Sequence, residues 1–274
     1  MMRLCAKNVH FLPVIICMLF PLTFIITFVL SVHLDDVFPG LPYISDTGTN
    51  PPESCIFSLL LNLCAVLLGG CIYVRHLQIM EFARLHVESG LRIRDIQIAS
   101  FFGGFSCIGL AIVANFQVTN VRKVHYFGAI TCLWGGTVYF IYQTMFSFKM
   151  GQGVRMIFIF YTRYMLCVFS IIFNVSFIVT GFMAHSQYTG DNPRKWKPHE
   201  GGWLYHVISS SSEWMLAFTH SILVFTFLPE FKKVHVELPV VSLKPKILSK
   251  DEHYENYRTE RITCNGHIYC DDKY

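Results

Sequence analysis

The sequence predicts an all-α, polytopic membrane protein with a bundle of six transmembrane helices and both termini in the cytoplasm. Of its 274 residues, 53% are hydrophobic and only 15% are charged, against roughly 25% charged residues in an ordinary soluble domain. The apolar residues occur in long runs, and a bilayer core about 30 Å thick accepts helices of about twenty such residues. Composition and run length together therefore argue against a soluble enzyme.

Six apolar stretches define the predicted transmembrane domain, residues 11–228. Helices are expected in each stretch because an open sheet edge is not satisfied in lipid. Residues 1–10 form the predicted cytoplasmic N-terminus, and residues 229–274 form a polar cytoplasmic tail that we expect to be largely disordered. The predicted spans are residues 11–33, 55–75, 97–116, 124–147, 157–182 and 204–228.

Lys and Arg are distributed unevenly between the two sides of these spans. The N-terminus, the two connections on its side and the tail hold sixteen of them, Arg75 included, whereas the opposite loops hold five. This imbalance follows the positive-inside rule and places both termini in the cytosol. The net charge of +4 is small and the basic residues form no stripe, so a nucleic-acid partner is not expected.

The sequence contains no recognisable catalytic or metal-binding motif. Its ten Cys include no CxxC pair and no Cys/His metal spacing, and most lie in apolar runs where a thiol behaves as a small hydrophobe. HExxH, P-loop and GxGxxG sequences are absent, so a non-enzymatic protein without a cofactor is predicted. Cys5 lies beside the first span and is a candidate for palmitoylation.

Glu213 is the strongest candidate for a functional residue because a carboxylate inside a membrane span is costly. It follows a run of serines in the outer half of the sixth span. Such a carboxylate is expected to be neutral, or to be paired with a cation or hydrogen-bond donors. Two interpretations stay open: a residue that binds protons or lipid headgroups, and a hydrogen bond that locks two helices.

Other polar residues are predicted at the same depth as Glu213, with Asp46 and Glu53 in the first loop just above, all on the side opposite the termini. Together they predict a polar cavity beneath the outer loops, suited to a lipid headgroup or a proton sensor. The alternative is ordinary capping of helix ends by residues that contact water. The residues of this predicted cluster are Asp46, Glu53, Asn62, Asn115, Gln117, His125, His206 and Glu213.

Two further polar residues lie in the inner halves of their spans. Arg163 is expected to extend to the cytosolic headgroups or to pair inside the bundle. Gln143 is expected to hydrogen-bond a neighbouring helix rather than a ligand.

The segment 41–54, with the sequence Leu-Pro-Tyr-Ile-Ser-Asp-Thr-Gly-Thr-Asn-Pro-Pro-Glu-Ser, resembles the first lumenal loop of the damage-regulated autophagy modulator (DRAM) family. The same superfamily includes the TMEM150-type proteins, yeast Sfk-type proteins and GPI-lipid-remodelling proteins. Further matches follow in order over residues 9 to about 234. In the last loop and sixth span they include Trp196, His206 and the pair Glu213-Trp214.

The resemblance implies a multi-pass protein of the lysosomal or late endosomal membrane that promotes autophagy, with some members linked to apoptosis. The expected function is that of a non-enzymatic regulator that contacts membrane lipids, membrane proteins or autophagy proteins. Two alternatives stay open. One is a lipid-remodelling or lipid-asymmetry protein, and the other is a plasma-membrane scaffold of the TMEM150 type.

Overall fold

Six long helices, one for each predicted span, dominate the computed structural model, which describes residues 5–6, 8–151, 154–237, 261–264 and 267–270. Each helix is long and apolar enough to cross a membrane. The prediction of a six-span helical membrane protein is therefore confirmed, whereas the side of the membrane that the termini face stays a prediction. The helices are α1 Phe11–His33, α2 Glu53–Leu85, α3 Ile93–Asn115, α4 Arg122–Met150, α5 Val154–Gln187 and α6 Trp203–Phe225.

Several helices extend beyond the apolar runs that predicted them. α2 continues to Leu85, well past residue 75, because backbone hydrogen bonds continue a helix through polar sequence as readily as through apolar sequence. A short helix, α7 Leu228–Phe231, follows α6. Its Glu230 and Phe231 are buried, so the packed bundle continues past the predicted boundary at residue 228.

The helices form a closed ring in which each packs against its neighbours in sequence and α1 packs against α6. The connections 34–52, 116–121 and 188–202 gather at one end of the ring, which we call the loop end. The opposite end, which we call the terminal end, holds α7 and a short antiparallel pair. That pair joins β1 Cys5–Ala6 to β2 Val236–Glu237.

Glycines let α3 and α4 approach each other closely. A Cβ atom at Gly109 would lie 2.5 Å from the backbone nitrogen of Cys132 and 2.7 Å from the carbonyl oxygen of Gly128. Gly104, also in α3, faces open space instead. Close approach at small residues is a common basis of helix packing in membranes, and here it depends on particular glycines rather than on all of them.

Residues 238–274 form a second unit, of which the structure describes one antiparallel hairpin, β3 Arg261–Cys264 and β4 His267–Cys270. Residues 229–237 of the tail that was predicted to be disordered belong to the first unit and include α7 and β2. Residues 238–260, 265–266 and 271–274 lie outside the described residues. The side chain of Cys5 lies outside them as well, so its palmitoylation stays a prediction.

Candidate functional site at the loop end

The first and last loops of the loop end are joined into one cover by Arg194. This residue lies in a 3₁₀ turn, Pro193–Lys195. Its Nη1 donates to Thr49 Oγ1 at 2.9 Å and to Asn50 Oδ1 at 3.0 Å. Its carbonyl oxygen accepts from the Phe38 N–H at 3.2 Å. A guanidinium with several donors in a fixed fork is well suited to tie two loops in this way.

Glu213 and Trp214 of α6 hold this cover from below. The Ile44 N–H donates to Glu213 Oε2 at 2.7 Å. Trp214 Nε1 donates to the Pro42 carbonyl oxygen at 2.9 Å. The bond made by Glu213 therefore joins a helix to a loop, whereas one of the two predicted interpretations joined two helices. Whether Glu213 also binds a ligand or a proton stays a prediction.

A cavity of about 350 Å³ lies beneath the cover, between α4 and α5. We call it the lateral cavity. Its lining residues Ile130, Ile178 and Phe182 are 54%, 42% and 78% exposed, so it reaches the outer surface of the bundle between these two helices. The charged and titratable side chains that line it are Tyr43, Asp46, Arg122, His125, Tyr126, His185, Arg194 and Glu213.

Asp46 is the loop carboxyl group of the lateral cavity, and burial strongly affects its ionisation. Desolvation raises the pKa of Asp46 from 3.8 to about 7, although the positive charges of Arg194 and Arg122 oppose the shift. Its backbone carbonyl accepts from Thr49 Oγ1 at 3.0 Å, which fixes the local turn. The charge of the cavity therefore changes near neutral pH.

Replacing Asp46 with Asn is expected to raise the thermal unfolding temperature more at pH 8 than at pH 5. Because the folded-state pKa of about 7 lies above the unfolded value, the folded protein binds this proton more tightly, and stability falls as the pH rises through 7. Asn has no ionisable proton, so the variant does not lose stability in this pH range. Thermal unfolding of the purified protein in detergent at both pH values measures the difference, with the exposed Asp191→Asn as control. An equal gain at both pH values, or the same gain in the control, would contradict the assignment.

The two predicted histidines occupy different positions. His125 is buried in α4, lines the lateral cavity and has Nδ1 2.6 Å from the Phe116 carbonyl oxygen. His206 is buried beside Trp196, with ring centroids 4.6 Å apart. Among the described residues, Nδ1 of His206 has no hydrogen-bond partner. His206 supports the loop cover through its ring and is not a lining residue of the cavity.

Asn62 and Asn115 form a closed amide pair between α2 and α3. Asn62 Nδ2 donates to Asn115 Oδ1 at 3.0 Å, and Asn115 Nδ2 donates to Asn62 Oδ1 at 2.9 Å. Each amide also donates to a backbone carbonyl of its own helix. The two amides thus satisfy each other, as an interhelical hydrogen bond in a membrane does, and they lie away from the lateral cavity.

Glu53 and Gln117 complete the predicted cluster and also lie outside the lining of the lateral cavity. Glu53 begins α2 and is 1% exposed. A carboxylate in this first turn interacts favourably with the helix dipole. Gln117 lies in the connection between α3 and α4. The predicted residues that the structure brings together in the cavity are Asp46, His125 and Glu213.

A second buried polar group, at the terminal end, centres on Glu230. Its carboxylate forms ion pairs with Arg75 Nη2, at 2.9 Å, and with Arg163 Nη2. The three side chains are at most 6% exposed. Thr226 Oγ1 accepts from Arg163 Nε at 2.8 Å. The Phe227 ring lies beneath both guanidinium groups, 5.3 Å and 4.9 Å from their central carbons.

This group corrects one prediction and shows the partners of two further predicted residues. The assignment of Arg75 to a cytoplasmic loop is wrong, because α2 continues past it and its side chain is buried. Arg163 pairs inside the bundle, which was one of its two expected positions. Gln143 Oε1 accepts from Arg75 Nε at 2.9 Å, so Gln143 does bond a neighbouring helix. Glu230 was not among the predicted residues, although an acidic residue two positions after the last predicted span was a usable signal.

A smaller cavity of about 100 Å³ lies inside the ring and shares His125 and Glu213 with the lateral cavity. Its lining is mainly apolar and extends to His220. Thr137 Oγ1 accepts from Asn174 Nδ2 at 2.9 Å and lies 3.2 Å from His220 Nε2. These polar side chains thus have partners on other helices, which fits a packing role.

Fold and site together define a class of protein: a six-helix membrane bundle with a cavity beneath a tied loop cover, lined mainly by apolar side chains and by a few charged and polar ones. In the part of the chain that the structure describes, no three His, Cys, Asp or Glu side chains come together to hold a metal ion. Residues 8–234 match the Frag1/DRAM/Sfk1/Cwh43P N-terminal domain family. The chain belongs to this family, which confirms the resemblance found in segment 41–54.

Two of three similar relatives align with most of the chain, and the third aligns with less than half of it. The rat DNA damage-regulated autophagy modulator protein 2 (Rattus norvegicus) is 30% identical over 263 residues, which are 89% of this chain and 97% of the relative. The Xenopus laevis DNA damage-regulated autophagy modulator protein 1 is 32% identical, over 85% of this chain and 95% of the relative. The Bos taurus modulator of macroautophagy TMEM150B is 36% identical over 44% of this chain and 47% of its own length. No solved structure matches the chain.

Proposed function

We propose that this protein is a modulator of autophagy in the lysosomal or late endosomal membrane. Relatives named as autophagy modulators align with 83–89% of the chain and carry this proposal. They are named for modulation rather than for a reaction, and we infer a non-enzymatic role for this chain as well. A link to apoptosis belongs to the same proposal.

The molecular basis that we propose is contact with membrane lipids or with a membrane protein at the lateral cavity. The observation that favours this site is its shape: polar side chains lie beneath the loop cover, and exposed apolar side chains lie where the cavity opens between α4 and α5. Ligand sites are commonly concave and mainly apolar, with a few placed polar groups.

Autophagic flux tests the cellular function. Cells that lack the protein are expected to show reduced flux, and the tagged protein is expected to overlap a lysosomal marker. Re-expressed Glu213→Gln should restore flux less well than the wild type because the variant changes a carboxyl group that lines the cavity. The exposed Glu88→Gln, matched in chemistry, should restore flux fully. Unchanged flux in cells without the protein would contradict the proposed function. Full rescue by Glu213→Gln would show that the carboxyl group is not needed for flux and would leave Glu213 with a structural role only.

A plasma-membrane role of the TMEM150 type is the second candidate, favoured by the similarity to TMEM150B over 120 residues. A lipid-remodelling or lipid-asymmetry role is a third, since the family description includes Cwh43P and Sfk1. The imaging arm of the same experiment separates the second candidate. Plasma-membrane signal with unchanged flux would support it in place of the lysosomal proposal.

A further inference from the structure

The lateral cavity carries two guanidinium groups on separate parts of the fold. Arg122 is the first residue of α4 and is exposed, and Arg194 belongs to the last loop. Within the described residues, the Arg122 side chain has no hydrogen-bond partner and Arg194 uses only Nη1. Each group therefore retains donors for a ligand, and guanidinium donors match the oxygens of a phosphate or carboxylate.

The charges that face these arginines leave room for an anion. Glu213 is already engaged by the Ile44 N–H. Asp46 is neutral for much of the time below pH 7 because burial raises its pKa to about 7. The remaining titratable groups of the lining are His125, His185 and two tyrosines. Glu53, outside the lining, also interacts with Arg194. Below pH 7 the lining itself therefore sets two guanidinium groups against the single carboxyl group of Glu213.

The apolar part of the lining indicates where such an anion comes from. Ile130 of α4 and Ile178 and Phe182 of α5 line the cavity and are exposed on the surface of the bundle. That surface belongs to segments that cross the membrane. A free inorganic anion gains nothing from these side chains, whereas a lipid places its acyl chains against them.

We propose that the lateral cavity binds an acidic phospholipid, with Arg122 and Arg194 on the phosphate and the acyl chains between α4 and α5. The shared chemistry is a phosphate oxyanion, and the membrane lipid is the source that the apolar opening favours. This inference rests on the proposed function, because it takes a membrane lipid as the partner. It adds the chemical class of the headgroup and the two residues that contact the phosphate.

Native mass spectrometry of the purified, delipidated full chain tests the proposal. The ligands are phosphatidylglycerol and phosphatidylcholine with the same acyl chains, at pH 5.5, where Asp46 is mostly protonated. Phosphatidylglycerol is expected to bind more tightly. Arg122→Gln and Arg194→Gln are each expected to weaken its binding about tenfold, since each variant removes a charged donor to the phosphate.

Lys123→Gln is the matched control because Lys123 is the exposed neighbour of Arg122 and is not a lining residue. The affinity of Lys123→Gln for phosphatidylglycerol should stay within about twofold of the wild type, since this side chain does not line the cavity. Arg122→Gln keeps the loop cover intact, so it remains informative if Arg194→Gln fails to fold.

Three results would overturn the inference: equal binding of the two lipids, equal losses in Arg122→Gln and Lys123→Gln, or displacement of phosphatidylglycerol by inorganic phosphate alone. The last result would assign the arginines to a free anion. Because binding is measured on purified protein, a failure here leaves a positive flux result standing, and a failure of the flux experiment leaves the binding result standing.

Discussion

Replacing Glu230 with Gln is expected to lower the free energy of unfolding by about 3–5 kcal/mol, the usual cost of removing one partner from a buried ion pair. Glu230 is the shared counter-ion of Arg75 and Arg163, and the three side chains are at most 6% exposed. Gln leaves both guanidinium groups buried and without a negative partner. The measurement is the temperature at which half of the monodisperse protein is lost on size-exclusion chromatography after heating in detergent.

Two variants control this experiment. Glu81→Gln removes an exposed carboxylate paired with Arg84 and is expected to leave the unfolding temperature almost unchanged, because exposed ion pairs contribute little to stability. Arg163→Gln removes one of the two cations and leaves the Arg75–Glu230 pair neutral, so it should cost less than Glu230→Gln. If Glu230→Gln behaves like Glu81→Gln, the buried group contributes little to stability.

Replacing Gly109 with Ala is expected to destabilise the bundle by about 1–3 kcal/mol, the usual cost of forcing extra methyl groups into a packed interior. The added Cβ would meet the backbone of α4, 2.5 Å from the Cys132 nitrogen and 2.7 Å from the Gly128 oxygen. Backbone atoms do not rotate away as a flexible side chain does, so α3 and α4 must separate. The same heating assay reports the loss.

Gly104→Ala is the matched control, because it makes the identical change in the same helix where nothing lies within 4 Å. Ala is the better helix former by roughly 1 kcal/mol, so this variant should be as stable as the wild type or slightly more stable. Equal losses in both variants would show that helix flexibility, rather than the α3–α4 contact, determines the outcome.

Hydropathy predicted the number and place of the helices because each helix must present apolar side chains to lipid over a fixed thickness. It did not predict how far the helices extend. α2 continues to Leu85 through Arg75 and Glu81, residues that lower the hydropathy without breaking a helix. The apolar run marks the segment that faces lipid, and the helix is longer than that segment.

The depth of polar residues was predictable, but their position around the ring was not. His125 and Glu213 were predicted at one depth with Asp46 in the loop just above, and the three line one cavity. Asn62 and Asn115 belong to the same predicted cluster and instead form a pair between α2 and α3. One sequence gives the height of a side chain along its helix, whereas the partner it contacts depends on how the helices are arranged.

The pairing of Glu230 with Arg75 could not be predicted from the sequence, for a related reason. Arg75 and Glu230 are 155 residues apart in the sequence, and the hydropathy signal ends before Glu230. The charge count treated Arg75 as a loop residue in contact with water. The ring closes where α1 packs against α6, and this closure brings α7, which carries Glu230, close to Arg75 of α2.

The position of Glu230 in the sequence also has a consequence for biosynthesis. A chain is made from its N-terminus, so Arg75 and Arg163 are both synthesised before their common counter-ion. α1 likewise has no α6 to pack against until the last span is complete. A chain interrupted before residue 230 would therefore leave two unneutralised cations within an open ring.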